Sequence, residues 1–104
     1  MADPFTTKYV ARIVQAAARE RVPAAYAWSD LARAGGLLSY SSVPDEMYRR
    51  AAEYVDRILR GARPGDLPVQ GPSRYELLVN RKTARELGIT IPDRLLAIAD
   101  DVID

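Results

Sequence analysis

The sequence contains neither cysteine nor histidine among its 104 residues. Without them the chain cannot form a disulfide, a thiolate nucleophile, a Ser-His-Asp triad or one of the usual zinc sites. The missing cysteine leaves the redox compartment open, because exported proteins can also lack it. We therefore predict no catalytic residue, no metal site and no cofactor.

Phosphate-binding loops are also missing. The tract Ala34-Gly35-Gly36 is the only paired glycine, and it lacks both the wider glycine spacing and the lysine of a phosphate cradle. We interpret it as the stop signal of a short helix. A small enzyme that uses carboxylates and tyrosines is the least favoured alternative, because Asp100, Asp101 and Asp104 have no evident partners and read as a solvated chain end.

The charges show no excess of one sign. There are 15 basic and 14 acidic residues, mixed along the chain, which gives a net charge of +1. A protein that follows a phosphate backbone needs clustered basic residues, so we predict no nucleic-acid partner.

Long apolar runs are absent too. Charged residues interrupt the first twenty positions, so the chain as written carries no export signal and no transmembrane segment. Expressed in this form, it is expected in the cytoplasm.

The composition that remains, 48% hydrophobic and 28% charged, is that of one globular domain. Apolar spacing predicts α/β architecture with about three short, mostly parallel strands, three longer helices and one or two short ones. The helices are expected to start at Thr6 or Thr7, at Ser29, at Pro44, after the cap Asn80 and after Pro92, the last one running through Val102 and Ile103. The strands are expected at 24–28, 36–40 and 75–79.

Aromatic residues stand at or near the ends of the first two predicted strands, namely Tyr26, Trp28 and Tyr40. Ligands of open parallel α/β sheets collect outside the carboxyl ends of strands, where aromatic faces suit a flat or amphipathic molecule. Simple packing in the core or crevice is an equally open interpretation of these three.

An ordered set of short motifs resembles the C-terminal part of ABC-transporter substrate-binding proteins, a group that includes binding proteins for tryptophan and tyrosine. The matching motifs cover nearly the whole chain: Val22-Pro23, Tyr26-Ala27, Gly35-Gly36-Leu37, Ser39-Tyr40, Tyr48-Arg49-Arg50-Ala51, Asp66-Leu67-Pro68-Val69-Gln70, Tyr75-Glu76-Leu77, Lys82-Thr83-Ala84, Leu87-Gly88 and Ile91-Pro92.

The resemblance implies the type I periplasmic-binding fold, in which two lobes close on a small solute and present it to a membrane permease. Residues 1–104 then correspond to a single incomplete α/β unit, the C-terminal third of such a protein, and the family location is periplasmic or extracellular. Ser41 departs from the family, which usually has glycine there.

The same resemblance implies the ligand-facing residues. It maps Asp3 and Phe5 to a loop that faces the cleft, and Ser39 and Tyr40 to the region near the hinge. With Trp28 these are our five candidate ligand-binding residues, and the expected ligand is a small organic solute such as an amino acid.

Two alternatives of different kinds therefore stay open. The chain is either a truncated solute-binding component of an ABC importer, or a stand-alone descendant with a structural or interaction role and no solute binding. In either case the apolar stripe of the 44–60 helix needs a partner, so we predict a homo-oligomer, most simply a dimer.

Overall fold

A computed structural model describes residues 3–104 as a mixed α/β protein. The elements, in chain order, are α1 Pro4–Lys8, α2 Val10–Arg19, β1 Ala25–Tyr26, α3 Ser29–Arg33, β2 Leu38–Ser42, α4 Pro44–Leu59, a 3-10 turn Pro64–Asp66, β3 Tyr75–Asn80, α5 Arg81–Leu87, α6 Asp93–Ile98 and β4 Asp101–Ile103.

The four strands form one sheet in the order β1-β2-β3-β4. The outer pairs are parallel, with Ala25 opposite Leu38 in one and Val79 opposite Val102 in the other. Between β2 and β3, the Asn80 amide donates to the Leu37 carbonyl at 2.8 Å, and the Val43 amide donates to the Arg74 carbonyl at 3.3 Å. The chain therefore runs in opposite directions along β2 and β3, and this pair is antiparallel. The predicted α/β class with mostly parallel strands is confirmed.

The fourth strand was not expected, because residues 99–103 were assigned to the last helix. That helix ends at Ile98, and Ala99 has extended backbone with φ −71° and ψ 134°. The neighbouring Asp100 fixes the chain beside β3: its amide donates to the carbonyl of Leu77 at 2.9 Å, and its carboxylate accepts from the Leu77 amide at 2.8 Å. Strand pairing thus overrides the helical spacing of Val102 and Ile103.

The terminal acids are partnered rather than merely solvated. Asp101 forms an ion pair with Arg33 at 2.6 Å, and Asp104 forms one with Arg81 at 3.1 Å. Each pair joins β4, or the residue after it, to a helix. Because these side chains are 40–66% exposed, each ion pair contributes little to stability.

The contacts divide the chain into two compact units. The first contains residues 3–41 together with 76–104, and the second contains residues 42–75. The chain passes from the first unit into the second near the end of β2 and returns at the start of β3. Among the described residues, the largest fully buried side chains are those of Leu78, Val79 and Ser39, and all three belong to the first unit.

The turn after α3 explains the paired glycines. Gly35 has φ +112°, a conformation that side chains rarely adopt. The amide of Gly36 donates to the carbonyl of Leu31 at 2.9 Å, and a Cβ at Gly36 would lie 2.8 Å from that carbonyl oxygen. The two glycines therefore end α3 and let the chain enter β2, as the sequence predicts.

Asn80 connects the sheet to two helices. It is 3% exposed, its Oδ1 accepts from the Thr83 amide at 3.0 Å, and its Nδ2 donates to the Ala32 carbonyl at 3.0 Å. It caps α5 as predicted, and Gly88 ends that helix in the left-handed conformation at φ 72°.

Replacing Asn80 with alanine removes the cap and leaves the Ala32 carbonyl without its buried donor. We expect a loss of about 2–4 kcal/mol in the free energy of unfolding, from a cap and an unsatisfied buried group together. Urea unfolding followed by circular dichroism measures it. The control Glu86→Ala, on the exposed side of α5, should change the stability by less than about 0.5 kcal/mol. An equal effect of the two substitutions would show that Asn80 is dispensable.

Candidate functional site

A broad, open groove of about 700 Å³ runs between α1, the start of α2 and the start of α3. Two of the five candidate residues, Asp3 and Trp28, lie in its lining. The other lining residues are Pro4, Thr7, Lys8, Val10, Asp30 and Leu31. The groove therefore combines an aromatic ring and apolar side chains with two carboxylates and one ammonium group.

Asp3 is held rigidly at the start of α1. Its carboxylate accepts from the Thr6 amide at 2.9 Å and from the Thr6 hydroxyl at 2.7 Å. These two hydrogen bonds lower the pKa of Asp3 below its ordinary value of 3.8, and the bond from the hydroxyl has the larger effect. Asp3, rather than the predicted Thr6 or Thr7, is thus the N-cap of the first helix, and it is a carboxylate at neutral pH.

Phe5 belongs to α1 but not to the groove lining. Its side chain is 71% exposed, and its ring packs on Tyr9 with the centroids 4.6 Å apart. The cations of Lys8 and Arg12 lie 5.7 and 5.9 Å from the centre of the Tyr9 ring. At Tyr9 the backbone leaves helical geometry, which divides the expected single helix into α1 and α2. Phe5 and Tyr9 form an aromatic pair at this break.

Trp28 stands at the junction of β1 and α3. Its backbone is extended and precedes α3, and its carbonyl accepts from the Leu31 amide at 3.1 Å. The side chain, 36% exposed, also lines a smaller cavity of about 100 Å³ with Thr6, Ile13 and Tyr26 among its walls. The indole thus has one part packed and another part open to the groove.

Ser39 and Tyr40 are neighbours on β2 and therefore point to opposite faces of the sheet. Ser39 pairs in register with Tyr26 and is fully buried, and its hydroxyl has no partner among the described residues. Tyr40 is exposed. Neither lines the groove that contains Asp3 and Trp28. Burial also raises the pKa of the Tyr26 hydroxyl, so that this phenol stays neutral.

Three polar groove residues were not among the candidates: Thr7, Lys8 and Asp30. Two of them follow Asp3 within one and a half helical turns, and the third lies two residues after Trp28. Helical spacing places Thr7, four residues after Asp3, on the same side of α1, and this signal was available in the sequence.

The second unit has a cavity of its own, of about 210 Å³, between α4 and the segment 70–74. The Arg50 guanidinium donates to the Gly71 carbonyl at 3.2 Å, and the Ser73 hydroxyl donates to the Glu46 carboxylate. These polar groups are occupied in fixing the segment to the helix. Across residues 3–104, no group of three or more acidic side chains is placed to hold a metal ion.

Comparisons with known proteins decide the family. The family of ABC transporter substrate binding proteins matches residues 1–103 of the chain. The chain belongs to this family.

Two solved structures agree with this membership. A conserved domain protein from Vibrio cholerae O1 biovar El Tor is 30% identical over 96% of this chain, with a TM-score of 0.89. An ABC domain from Streptococcus pneumonia, solved in complex with L-Trp, is 29% identical over 97% of this chain, with a TM-score of 0.85. No curated protein matches the sequence.

The chain spans about a third of the length of both structures, 34% of the first and 35% of the second. The family match and the two structures confirm the resemblance to substrate-binding proteins. The roles of the five candidate residues stay predictions. Within residues 3–104, none of the helices combines the length and the apolar character that crossing a bilayer requires.

Replacing Asp3 with alanine should release the first turn of α1. We expect faster exchange of the Thr6 amide and a shift in the emission of Trp28, the only tryptophan. Folding lowers the pKa of the Asp3 carboxyl below its ordinary value of 3.8. The stabilisation by the cap is therefore fully present above pH 3.8 and is lost as the pH falls through the lower pKa of the folded state. Asp3→Asn, which keeps an acceptor oxygen, is the control. Unchanged Thr6 exchange in Asp3→Ala, measured by NMR, would refute the cap.

Proposed function

We propose that this chain contributes part of an interlobe cleft that binds a small organic solute, such as an amino acid, for an ABC importer. The observation that carries the proposal is the family match over residues 1–103, together with the open groove that contains Asp3 and Trp28. The L-Trp complex of the relative supports an amino acid as the class of solute.

The groove has the chemistry that an amino acid requires. Its two carboxylates, Asp3 and Asp30, attract an α-ammonium group, and Lys8 attracts an α-carboxylate. The indole of Trp28, beside Val10 and Leu31, offers an apolar surface to a side chain. Opposite charges and an aromatic face in one groove favour a zwitterion with an apolar part over a simple ion.

Coverage of 34–35% of the relatives supports a further part of the proposal. We propose that residues 1–104 as a whole are a single incomplete α/β portion of a larger protein, equivalent to the C-terminal third of a two-lobed protein. The opposite wall of the cleft then comes from the remainder. The whole protein closes on its solute, works in the periplasm or outside the cell, and delivers to a membrane permease.

The other candidates have distinct proposed places. Phe5 and Tyr40 are exposed, and we propose that they face the solute or the second wall of the cleft. Ser39 is buried, so a direct contact with the solute would require β2 to move. Its hydroxyl has no partner among the described residues, and of the five candidates its role depends most on such a movement.

We also propose that the isolated chain self-associates, because several large apolar side chains of α4 are exposed.

The isolated chain should bind amino acids only weakly, because one wall buries much less of a ligand than a closed cleft does. We expect a Kd of about 1 mM or weaker, with NMR shifts confined to Asp3, Lys8, Trp28 and Asp30. Arg94→Gln, outside the groove, should leave both unchanged. Micromolar binding would show that the chain holds a complete site, and shifts confined to α4 would place the site elsewhere.

We predict that the chain does not turn over substrate. Assays with ester, phosphate and nucleotide substrates should give the rate of the uncatalysed reaction. The Asp100 carboxylate is occupied by the Leu77 amide, and Asp101 by Arg33, so neither is arranged as a free acid-base pair. Turnover that follows the protein through purification and disappears in Asp100→Asn or Asp101→Asn would refute this.

A further inference from the structure

Tyr26 lies next to the groove without lining it. The residue belongs to the wall of the smaller cavity of about 100 Å³, together with Trp28 and Leu31. Trp28 and Leu31 also line the groove, whereas Tyr26 does not. Tyr26 therefore borders the same cavity as two residues that offer the groove its apolar surface.

The ring of Tyr26 packs against the backbone of Gly36. A Cβ at Gly36 would lie 2.5 and 2.6 Å from two carbon atoms of the ring, which is closer than two non-bonded carbons can approach. Only a residue without a side chain lets the ring come this close. The space left beside Tyr26 and Gly36, next to α2, has a volume of only about 10 Å³. Tyr26 is therefore closely packed here, and its ring has little room to move.

Gly36 connects the Tyr26 ring to α3. The Gly36 amide donates to the Leu31 carbonyl at 2.9 Å, and the Leu31 amide donates to the Trp28 carbonyl at 3.1 Å. The five residues of α3 are too few for a helix that is stable alone, so contacts with the rest of the fold decide where it lies. Three groove residues, Trp28, Asp30 and Leu31, belong to α3 or directly precede it. The position of this helix thus sets one part of the groove.

We propose that Tyr26 is a positioning residue of the groove. Its ring, packed on Gly36, holds α3 and the indole of Trp28 in the orientation that a solute meets, and Tyr26 itself does not contact the solute. The role toward a solute rests on the proposed function, so the placement of Trp28 is also tested without one.

Removing the flat ring tests the placement of Trp28 in the absence of solute. Tyr26→Leu keeps an apolar side chain, and we expect the emission of Trp28, the only tryptophan, to move to longer wavelength as the indole becomes more exposed. Tyr26→Phe keeps the ring and should leave the emission unchanged. Tyr48→Leu, at an exposed tyrosine of the second unit, is the matched control and should also leave it unchanged. Unchanged emission in Tyr26→Leu, with circular dichroism showing a folded chain, would overturn the positioning role.

A titration with L-tryptophan, followed by NMR, tests the same residue through the groove. We expect Tyr26→Leu to raise the Kd about fivefold, and Tyr26→Phe to keep it within about twofold of the unmodified chain. An equal Kd for Tyr26→Leu and the unmodified chain would overturn the positioning role. If the groove resonances of the unmodified chain do not shift at all, the proposed function fails, and the emission of Trp28 still decides whether Tyr26 positions it.

The unmodified chain provides a test that does not depend on a folded variant. NOEs should connect the Tyr26 ring to the Hα protons of Gly36. The ring resonances of Tyr26 should shift together with those of the Trp28 indole when L-tryptophan is added, although Tyr26 does not line the groove. Missing NOEs to Gly36, or Trp28 shifts without any change at Tyr26, would overturn the positioning role.

Discussion

The first unit depends on the buried residue Asn80, whose side chain and backbone together form hydrogen bonds to three parts of the fold. Its amide nitrogen donates to Ala32 at the end of α3, its oxygen accepts from Thr83 in α5, and its backbone donates to Leu37 ahead of β2. A buried amide is costly unless it is fully hydrogen-bonded, and this one is matched only when both helices and the sheet are correctly placed. Asn80 is therefore a geometric constraint as much as a source of stability.

That constraint extends to the groove. Asn80 holds the last residues of α3, and the first residue before α3 is Trp28, whose carbonyl is bound by the Leu31 amide. Asp3 fixes the facing wall by capping α1 through Thr6. Two short helices of five residues each are not stable alone, so caps and tertiary hydrogen bonds must hold the groove walls in place.

The sequence predicted those elements whose signals are local. The Asn80 cap, the stop at Gly88 and the break at Gly35 and Gly36 each depend on the chemistry of one or two residues, and all three are present. It did not predict β4, because Val102 and Ile103 continue the apolar spacing of α6 while the pairing with β3 is a long-range interaction. The site shows the same division. Asp3 and Trp28 line one groove although 25 positions separate them in sequence; the family resemblance suggested Asp3, and the position near a strand end suggested Trp28. The burial of Ser39, in contrast, follows from its strand neighbours and had no local signal.

We propose that a solute binds in the groove of the first unit. Intermolecular NOEs between the chain and an amino acid at high concentration test it most directly. We predict NOEs from the solute to the indole of Trp28 and to the methyl groups of Val10, which both line that groove. NOEs to Met47 and Tyr54 instead, which line the cavity of the second unit, would contradict it.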